Sequence, residues 1–263
     1  MPQIAVGGES LNYLREGKGA PLLLVHSLGT ASWLWREQIA RWSRHFDVIA
    51  FDVRGHGAST HNGPVTTRAI AEDLLQALHQ LDLLPVTAVG ISMGGPILAR
   101  LHELDPRAIN RFVIADSFAT QGEAGQTRAK MLSEKIAAIG IQAFGQIYAD
   151  ETILPSTDRR HHAELRDSVA RCDQDAYTEA VNSVFTEDVR DILRTITVPT
   201  LVVVGEKDNR TPPALSEAIA ALVPDSVFRT IPEAAHLANL DNPDGFHTAT
   251  DSFLLGSTTP QVK

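Results

Sequence analysis

The feature that most constrains this chain is Gly90-Ile91-Ser92-Met93-Gly94, because of what stands on either side of it. Pro85 to Ile91 (PVTAVGI) is a short apolar, β-branched run, the pattern of a strand buried on both faces. Gly95 to Leu101 (GPILARL) reads as a helix with its proline in the first turn, where a missing N–H costs nothing. A serine between glycines at such a junction can occupy a strained turn, because neighbours without side chains let helix and strand approach closely. The turn lifts the hydroxyl clear of the backbone and places it near a helix N-terminus, where N–H groups favour negative charge. That is what a serine nucleophile requires. The same pattern also arises in glycine-rich turns with an incidental serine, so the rest of the chain has to supply the partners.

Two other strand ends supply them. Pro199 to Gly205 (PTLVVVG) is a second buried strand, followed by Glu206-Lys207-Asp208. Ser226 to Ile231 (SVFRTI) is an alternating strand, followed by Pro232-Glu233-Ala234-Ala235-His236. A serine nucleophile needs a base to take its proton and a carboxylate to hold that base in one tautomer. Ser92, Asp208 and His236 are therefore the candidate catalytic residues. Taken alone, His236 is one of ten histidines and Asp208 a turn carboxylate able to cap the helix that starts near Pro212. Their order and their three strand-end contexts together argue for a triad. Asp116 also closes a strand, Arg111 to Ala115, and is the competing acid; the proline-started helix after Asp208 favours Asp208.

Along the chain, elements alternate. Gln3 to Val6 and Leu11 to Arg15 read as a hairpin, Pro21 to Val25 and Asp47 to Phe51 as strands. Trp33 to Trp42 reads as a helix with Trp35, Ile39 and Trp42 on one face, and Thr67 to Leu81 as an amphipathic helix. This alternation implies a mostly parallel sheet with helices on both faces. From Phe118 to Asp188 the strand signal disappears. Helical stretches take its place over Gln126 to Ile141, Ala143 to Tyr148, Ala163 to Cys172 and Asp175 to Phe185, punctuated by Gly140, Gly145 and Pro155. About 70 residues is long for a connection inside a domain, and such connections tend to be functional. The expectation is a core of residues 1–117 and 189–263 with a helical cap, 118–188, over the serine. Ser257 to Lys263, polar with a proline, are expected to fray.

Composition excludes other classes. The 263 residues suit one domain, and 43% apolar content fills a large core. The net charge of −9, with no basic cluster longer than Arg159-Arg160, gives no electrostatic support for nucleic acid or anionic membranes. The single cysteine, Cys172, rules out an internal disulfide framework. No segment has a signal peptide's pattern or a membrane span's length, so a soluble cytoplasmic protein is expected. His161-His162 has no ligand-spaced company and reads as solvated surface, and no metal site is visible.

The elbow, Val25-His26-Ser27-Leu28-Gly29, Asp52-Val53-Arg54-Gly55-His56-Gly57, Gly205-Glu206-Lys207-Asp208 and Ala235-His236 together resemble the α/β-hydrolase-fold serine hydrolases from about Pro21 to Leu255. Within them the chain is most similar to the 3-oxoadipate enol-lactone hydrolases. The carriers are Ser27 to Thr30 with Trp35, Arg54 to Ser59, Thr211-Pro212-Pro213 and Ala234 to Asn239. His26 replaces a usual asparagine, Ala31 a usual aspartate, and Asp116-Ser117 a Cys-Asn-Thr type of run; these departures bear on substrate rather than on chemistry. The resemblance implies an eight-stranded, mostly parallel sheet with an inserted helical cap, and oxyanion-hole N–H groups from Leu28 and Met93. His26, Ser27 and Asp116 are candidates for the substrate pocket. His56 is expected to brace a turn, and Arg128, Lys130, Lys135 and Arg159 could offer a carboxylate partner, although cap charges are usually just solvated. It implies cofactor-free opening of a small ester or lactone. The same triad also serves carbon–carbon bond hydrolysis of a β-diketone, a carboxylesterase or a perhydrolase, and the fold can serve as a ligand receptor. Oligomeric state is left open.

Overall fold

Strand β5 (Val86–Ile91) is buried along its whole length, and the fold is laid out around it. A computed structural model describes residues 2–256; the fraying expected for 257–263 lies outside the described residues. The other strands are β1 (Gln3–Val6), β2 (Glu9–Gly17), β3 (Ala20–Val25), β4 (Phe46–Phe51), β6 (Ile109–Ala115), β7 (Thr200–Gly205) and β8 (Val227–Ile231). They form one eight-stranded sheet in the order β1-β2-β4-β3-β5-β6-β7-β8. β1 with β2 and β2 with β4 pair antiparallel, and all remaining pairs are parallel. The strands read as continuous apolar runs, β5 in mid-sheet and β7 beside the last strand, are fully buried; alternating β8 is an edge.

Helices flank the sheet. Helix α1 (Arg36–Trp42) follows a 3₁₀ turn at Ser32–Trp35, so the helix expected over Trp33 to Trp42 is split, yet Trp35, Ile39 and Trp42 are all buried. Helix α2 (Thr67–Gln80) is capped by the Thr66 hydroxyl, which accepts from the Ala69 N–H at 3.1 Å, and α3 (Gly94–Leu104) leaves the elbow. Between β6 and β7 lie α4 (Gly122–Ile139), α5 (Ile141–Thr152), α6 (Arg159–Ala170) and α7 (Gln174–Phe185). An isolated antiparallel bridge, Thr120 to Asp188, closes the root of this insertion. Short α8 (Arg190–Leu193), α9 (Pro213–Leu222), short α10 (Ala238–Asp241) and α11 (Pro243–Leu254) complete the chain. Phe246 of α11 meets Trp35 and Trp42, with ring centroids 6.2 and 6.3 Å apart.

The insertion departs from expectation at its boundaries. α6 starts at Arg159 rather than Ala163, because the Asp158 carboxylate caps it by accepting from the Arg160 N–H at 2.8 Å. Gly140, at φ +80°, ends α4 and hands directly to α5. Gly145 does not punctuate the chain; it lies inside α5. A Cβ there would stand 2.6 Å from the Arg166 carbonyl oxygen of α6, so the residue is small to let two helices touch.

That contact gives a test. Alanine is the better helix former by about 1 kcal/mol, but here it must displace backbone. Gly145→Ala is expected to lower unfolding free energy by about 1–3 kcal/mol in a denaturant titration; a gain in stability would contradict the close α5–α6 approach.

Candidate active site

The turn from β5 into α3 holds Ser92 at φ +55°, in the left-handed region. A non-glycine residue there costs roughly 1–3 kcal/mol and persists only where its surroundings over-determine it. They do. The Ser92 N–H donates to the Ala115 carbonyl at 2.9 Å, and the Ser92 carbonyl accepts from the Gly95 N–H at 3.0 Å and the Ser117 hydroxyl at 2.8 Å. A Cβ at Gly94 would lie 2.5 Å from the Val25 carbonyl oxygen, and one at Gly90 2.6 Å from that of Gly94. The two glycines are what let the helix start against β3 and β5.

His236 arrives on the loop after β8, which is tied to the loop after β7 by the Lys207 N–H donating to the Ala234 carbonyl at 2.8 Å. His236 Nε2 lies 2.8 Å from Ser92 Oγ, and Nδ1 lies 2.9 Å from Asp208 Oδ2. An ionised carboxylate can only accept, so Nδ1 carries the proton and Nε2 is free to receive the one on Ser92. Asp208 Oδ1 accepts from the N–H groups of Arg210 and Thr211 at 2.8 and 2.9 Å, and Oδ2 from the Thr211 hydroxyl at 2.7 Å. Burial opposes ionisation of Asp208, but the charge and hydrogen bond of His236 and the Thr211 donors outweigh it, and its carboxyl is held below the usual range.

Asp116 has the opposite environment. It is fully buried, with Oδ1 accepting from the Gly205 N–H at 2.7 Å and Oδ2 from the Ala238 N–H at 3.3 Å. Burial, then the neighbouring Asp208 charge, pushes its carboxyl well above the usual range. It braces β7 and the start of α10 and does not touch His236.

The other pocket candidates are also inward-facing. His26 is buried, its Nδ1–H donating to the Ser27 carbonyl at 2.8 Å and its Nε2 accepting from the Val53 N–H at 3.1 Å, so both ring nitrogens are occupied by backbone. Burial holds it neutral by lowering its pKa. Ser27 is likewise completely buried. His26, Ser27 and Asp116 therefore correct the expectation: none of them lines the cavity at Ser92. His56 Nδ1–H donates to the Arg54 carbonyl at 3.1 Å, and burial, with His26 beside it, pushes its pKa down to about 3. Leu28 does line the cavity, and its carbonyl accepts from the Tyr148 hydroxyl of α5 at 2.8 Å; Met93 is the buried cap residue of α3.

Residues from the insertion close over the serine. Phe118, Gln121, Arg128, Tyr148 and Phe185 line its cavity together with Arg210, and the enclosed volume is about 20 Å³, room for about one water. A cleft of about 530 Å³ opens elsewhere between insertion and core, walled by Trp33, Arg36, Ser168 and Arg171, and includes none of Ser92, Asp208 or His236. Asp241 ties the two parts together: Oδ1 accepts from the Leu154 N–H at 2.9 Å and Oδ2 from the Ala235 N–H, next to His236, at 2.7 Å. Tyr148, Gln121 and Arg210 carried no signal in the sequence, since their role depends on which way a helix or loop turns. Of the four expected cations only Arg128 reaches the cavity; Lys130 and Arg159 are exposed, and Lys135 faces Glu151 at 3.9 Å. His161 and His162 are half-buried rather than solvated, His162 Nε2 resting 3.0 Å from the Leu154 carbonyl and His161 Nε2 3.8 Å from Glu37.

The two carboxyls can be separated by experiment. Asp208→Asn is expected to lower kcat for ester hydrolysis about 10³- to 10⁴-fold by imposing the wrong histidine tautomer. Asp116→Asn replaces a carboxyl whose charged form burial disfavours with an amide that tolerates a positive φ, and is expected to cost less than about tenfold. The reverse order, read from steady-state kinetics, would make Asp116 the acid.

Comparison with known proteins agrees with this architecture. A family model described as the alpha/beta hydrolase fold matches residues 20–243. The 3-oxoadipate enol-lactonase 2 of Acinetobacter baylyi is 30% identical over 253 residues, covering 93% of each chain. The enol-lactonase from Burkholderia xenovorans LB400 superposes with a TM-score of 0.88 at 26% identity, covering 97% of this chain and 100% of that one. A thermophilic esterase from Thermogutta terrifontis, with malate bound, also gives 0.88, at 27% identity over 98% and 100% of the two chains. With the sheet order, the elbow and a match running from β3 into α11, the chain belongs to the alpha/beta hydrolase fold family.

Proposed function

We propose that this protein is a serine hydrolase that opens a small ester or lactone through a covalent acyl-Ser92 intermediate. The observation that carries this reading is the unbroken hydrogen-bonded line from Ser92 Oγ through His236 to Asp208. As Ser92 Oγ attacks the carbonyl carbon, its proton passes to His236 Nε2, and Asp208 stabilises the imidazolium without taking the proton. The negative charge that develops on the carbonyl oxygen is met by the N–H groups of Leu28 and Met93, each such donor contributing about 2.7–4 kcal/mol in the transition state. The carbon–oxygen bond to the leaving group then breaks, and His236 returns the proton to that oxygen. In a lactone the leaving oxygen stays tethered to the acyl chain. Water repeats the sequence in the second half: His236 takes its proton, the hydroxide attacks the acyl carbon, and Ser92 leaves reprotonated.

In this reading residues 118–188 act as a cap on the core. A volume of about 20 Å³ cannot hold an ester, so the cap and cavity side chains move to admit substrate and close again to exclude bulk water. The similarity to enol-lactonases favours a lactone among the substrates of this class. Cys172 is no rival nucleophile: burial, with Asp173 next to it, pushes its thiol up to about 12.

Ser92→Ala is expected to reduce turnover of p-nitrophenyl acetate and δ-valerolactone by about 10⁴-fold or more, to abolish labelling by a fluorophosphonate probe, and to leave the thermal unfolding transition in place. Labelling that persists in Ser92→Ala refutes the nucleophile. A single burst without further product from the unaltered protein would point to a ligand receptor.

A further inference from the structure

Thr211 follows Asp208 by three residues and is buried beside it. Its N–H donates to Asp208 Oδ1 at 2.9 Å and its hydroxyl to Oδ2 at 2.7 Å, so one residue clasps both oxygens of the carboxylate. The same hydroxyl oxygen lies 3.1 Å from His236 Nδ1 and 2.9 Å from the Asp116 carbonyl oxygen. A hydroxyl has one proton to give. The Asp208 carboxylate, favoured in its charged form, is the nearer and the stronger acceptor, so the proton goes to Oδ2. The hydroxyl lone pairs are left to face His236 Nδ1–H.

The other donors to this carboxylate do not fix its plane. The N–H groups of Arg210 and Thr211 both reach Oδ1. The last torsion of an aspartate is broad, so two bonds on one oxygen leave the second oxygen room to swing about it. That second oxygen is the one that meets His236 Nδ1 at 2.9 Å. Its place sets how the imidazole turns, and therefore where Nε2 stands against Ser92 Oγ. Thr211 is itself stiff. A β-branched side chain has few χ1 rotamers, and the proline at 212 disfavours a helical backbone at the residue before it.

We propose that Thr211 is a positioning residue of the triad: its hydroxyl holds Asp208 Oδ2 against His236 Nδ1 and so keeps Nε2 aimed at Ser92. The inference rests on the hydrolase reading and adds a further side chain to the hydrogen-bonded line that carries it. Thr211 exchanges no proton with the substrate. It acts through the acid, by keeping the imidazole in the orientation that the attack requires, and misplacement of a reacting group by about 1 Å can cost on the order of 10²-fold in rate. Because Thr211 also lines the Ser92 cavity, an effect on orientation has to be separated from a contact with substrate.

The test compares Thr211→Ala with Thr211→Ser, which both lose the γ-methyl, keep the N–H and differ in the hydroxyl alone. With p-nitrophenyl acetate, Thr211→Ala is expected to lower kcat about 10- to 100-fold while KM stays within about threefold, and Thr211→Ser to recover most of that loss. Equal kcat in the two variants overturns the proposal, since packing of the methyl would then be responsible. A loss carried by KM overturns it too, because Thr211 would then be a substrate contact. Should Thr211→Ala not fold, Thr211→Val, which keeps the bulk and loses the hydroxyl, replaces it in the same comparison. A second readout needs no turnover: the downfield proton NMR resonance of His236 Nδ1–H, assigned by its absence from His236→Gln. It is expected to move upfield or broaden in Thr211→Ala and to return in Thr211→Ser. A resonance unmoved in Thr211→Ala, or missing from the unaltered protein, overturns the proposal. Should the unaltered protein not turn over the ester, the hydrolase reading fails separately, and the resonance alone decides whether Thr211 holds Asp208 to His236.

Discussion

The left-handed backbone of Ser92 is the constraint on which the rest of the molecule depends. The sheet could be built with any residue there, but the site could not. At φ +55° the hydroxyl leaves the end of β5 and faces the space where β6, β7 and β8 also end. The strain is held by three hydrogen bonds on the Ser92 backbone and by two glycines whose missing Cβ atoms leave room for β3 and α3. Parallel pairing then fixes the partners: Gly205 is in register with Ile231, so the loops that follow them deliver Asp208 and His236 side by side. A buried strand, a strained turn and a register together set distances that no single segment could set.

Two carboxyls lie close together behind the histidine, and their surroundings drive them apart. Asp208 receives four contacts that favour its charged form, one of them from the imidazole itself. Asp116 lies deeper, has two backbone donors, and feels the charge of Asp208. Two like charges in one low-dielectric region are unfavourable, so the charge on Asp208 adds to burial in disfavouring ionisation of Asp116. Asp116 serves as a brace between β6, β7 and α10. The difference between the two carboxyls follows from the number of donors each can reach.

The insertion is bound to the core at the points that matter for the site. Tyr148 fastens the carbonyl of Leu28, Asp241 links the end of α5 to the backbone beside His236, and Arg128 spans to the residue two positions past Asp208. Each contact joins a helix of the insertion to a loop at a strand end, so movement of the insertion bears directly on the geometry around Ser92. The same contacts leave the positive charge of two arginines facing inward, and the site therefore has a polarity that its acidic surface does not share.

How much was legible follows from the range of each interaction. The buried strands, the elbow and the order Ser92, Asp208, His236 were readable because apolar runs and glycine positions are local, and parallel strands of one sheet must end at a common edge. Helix boundaries in the insertion were misread where an aspartate cap or a close helix contact decided them: α6 begins at the Asp158 cap, ahead of its apolar pattern, and Gly145 looked like a break but lies inside α5. His26, Ser27 and Asp116 lie just past strand ends, close in sequence to the site, but their side chains are buried, and those of His26 and Asp116 are held by backbone groups of neighbouring elements. Arg128 was one cation among four until packing showed which of them reaches the cavity. The sequence alone pointed to the sheet, the turn at Ser92 and the residues that meet its hydroxyl, since each was read from a local apolar run and the glycines or prolines beside it. Only the tertiary structure decided which carboxyl is favoured in its charged form and which of the insertion's cations reaches the cavity, because charge stability depends on everything within a few ångströms, whatever its position in the chain.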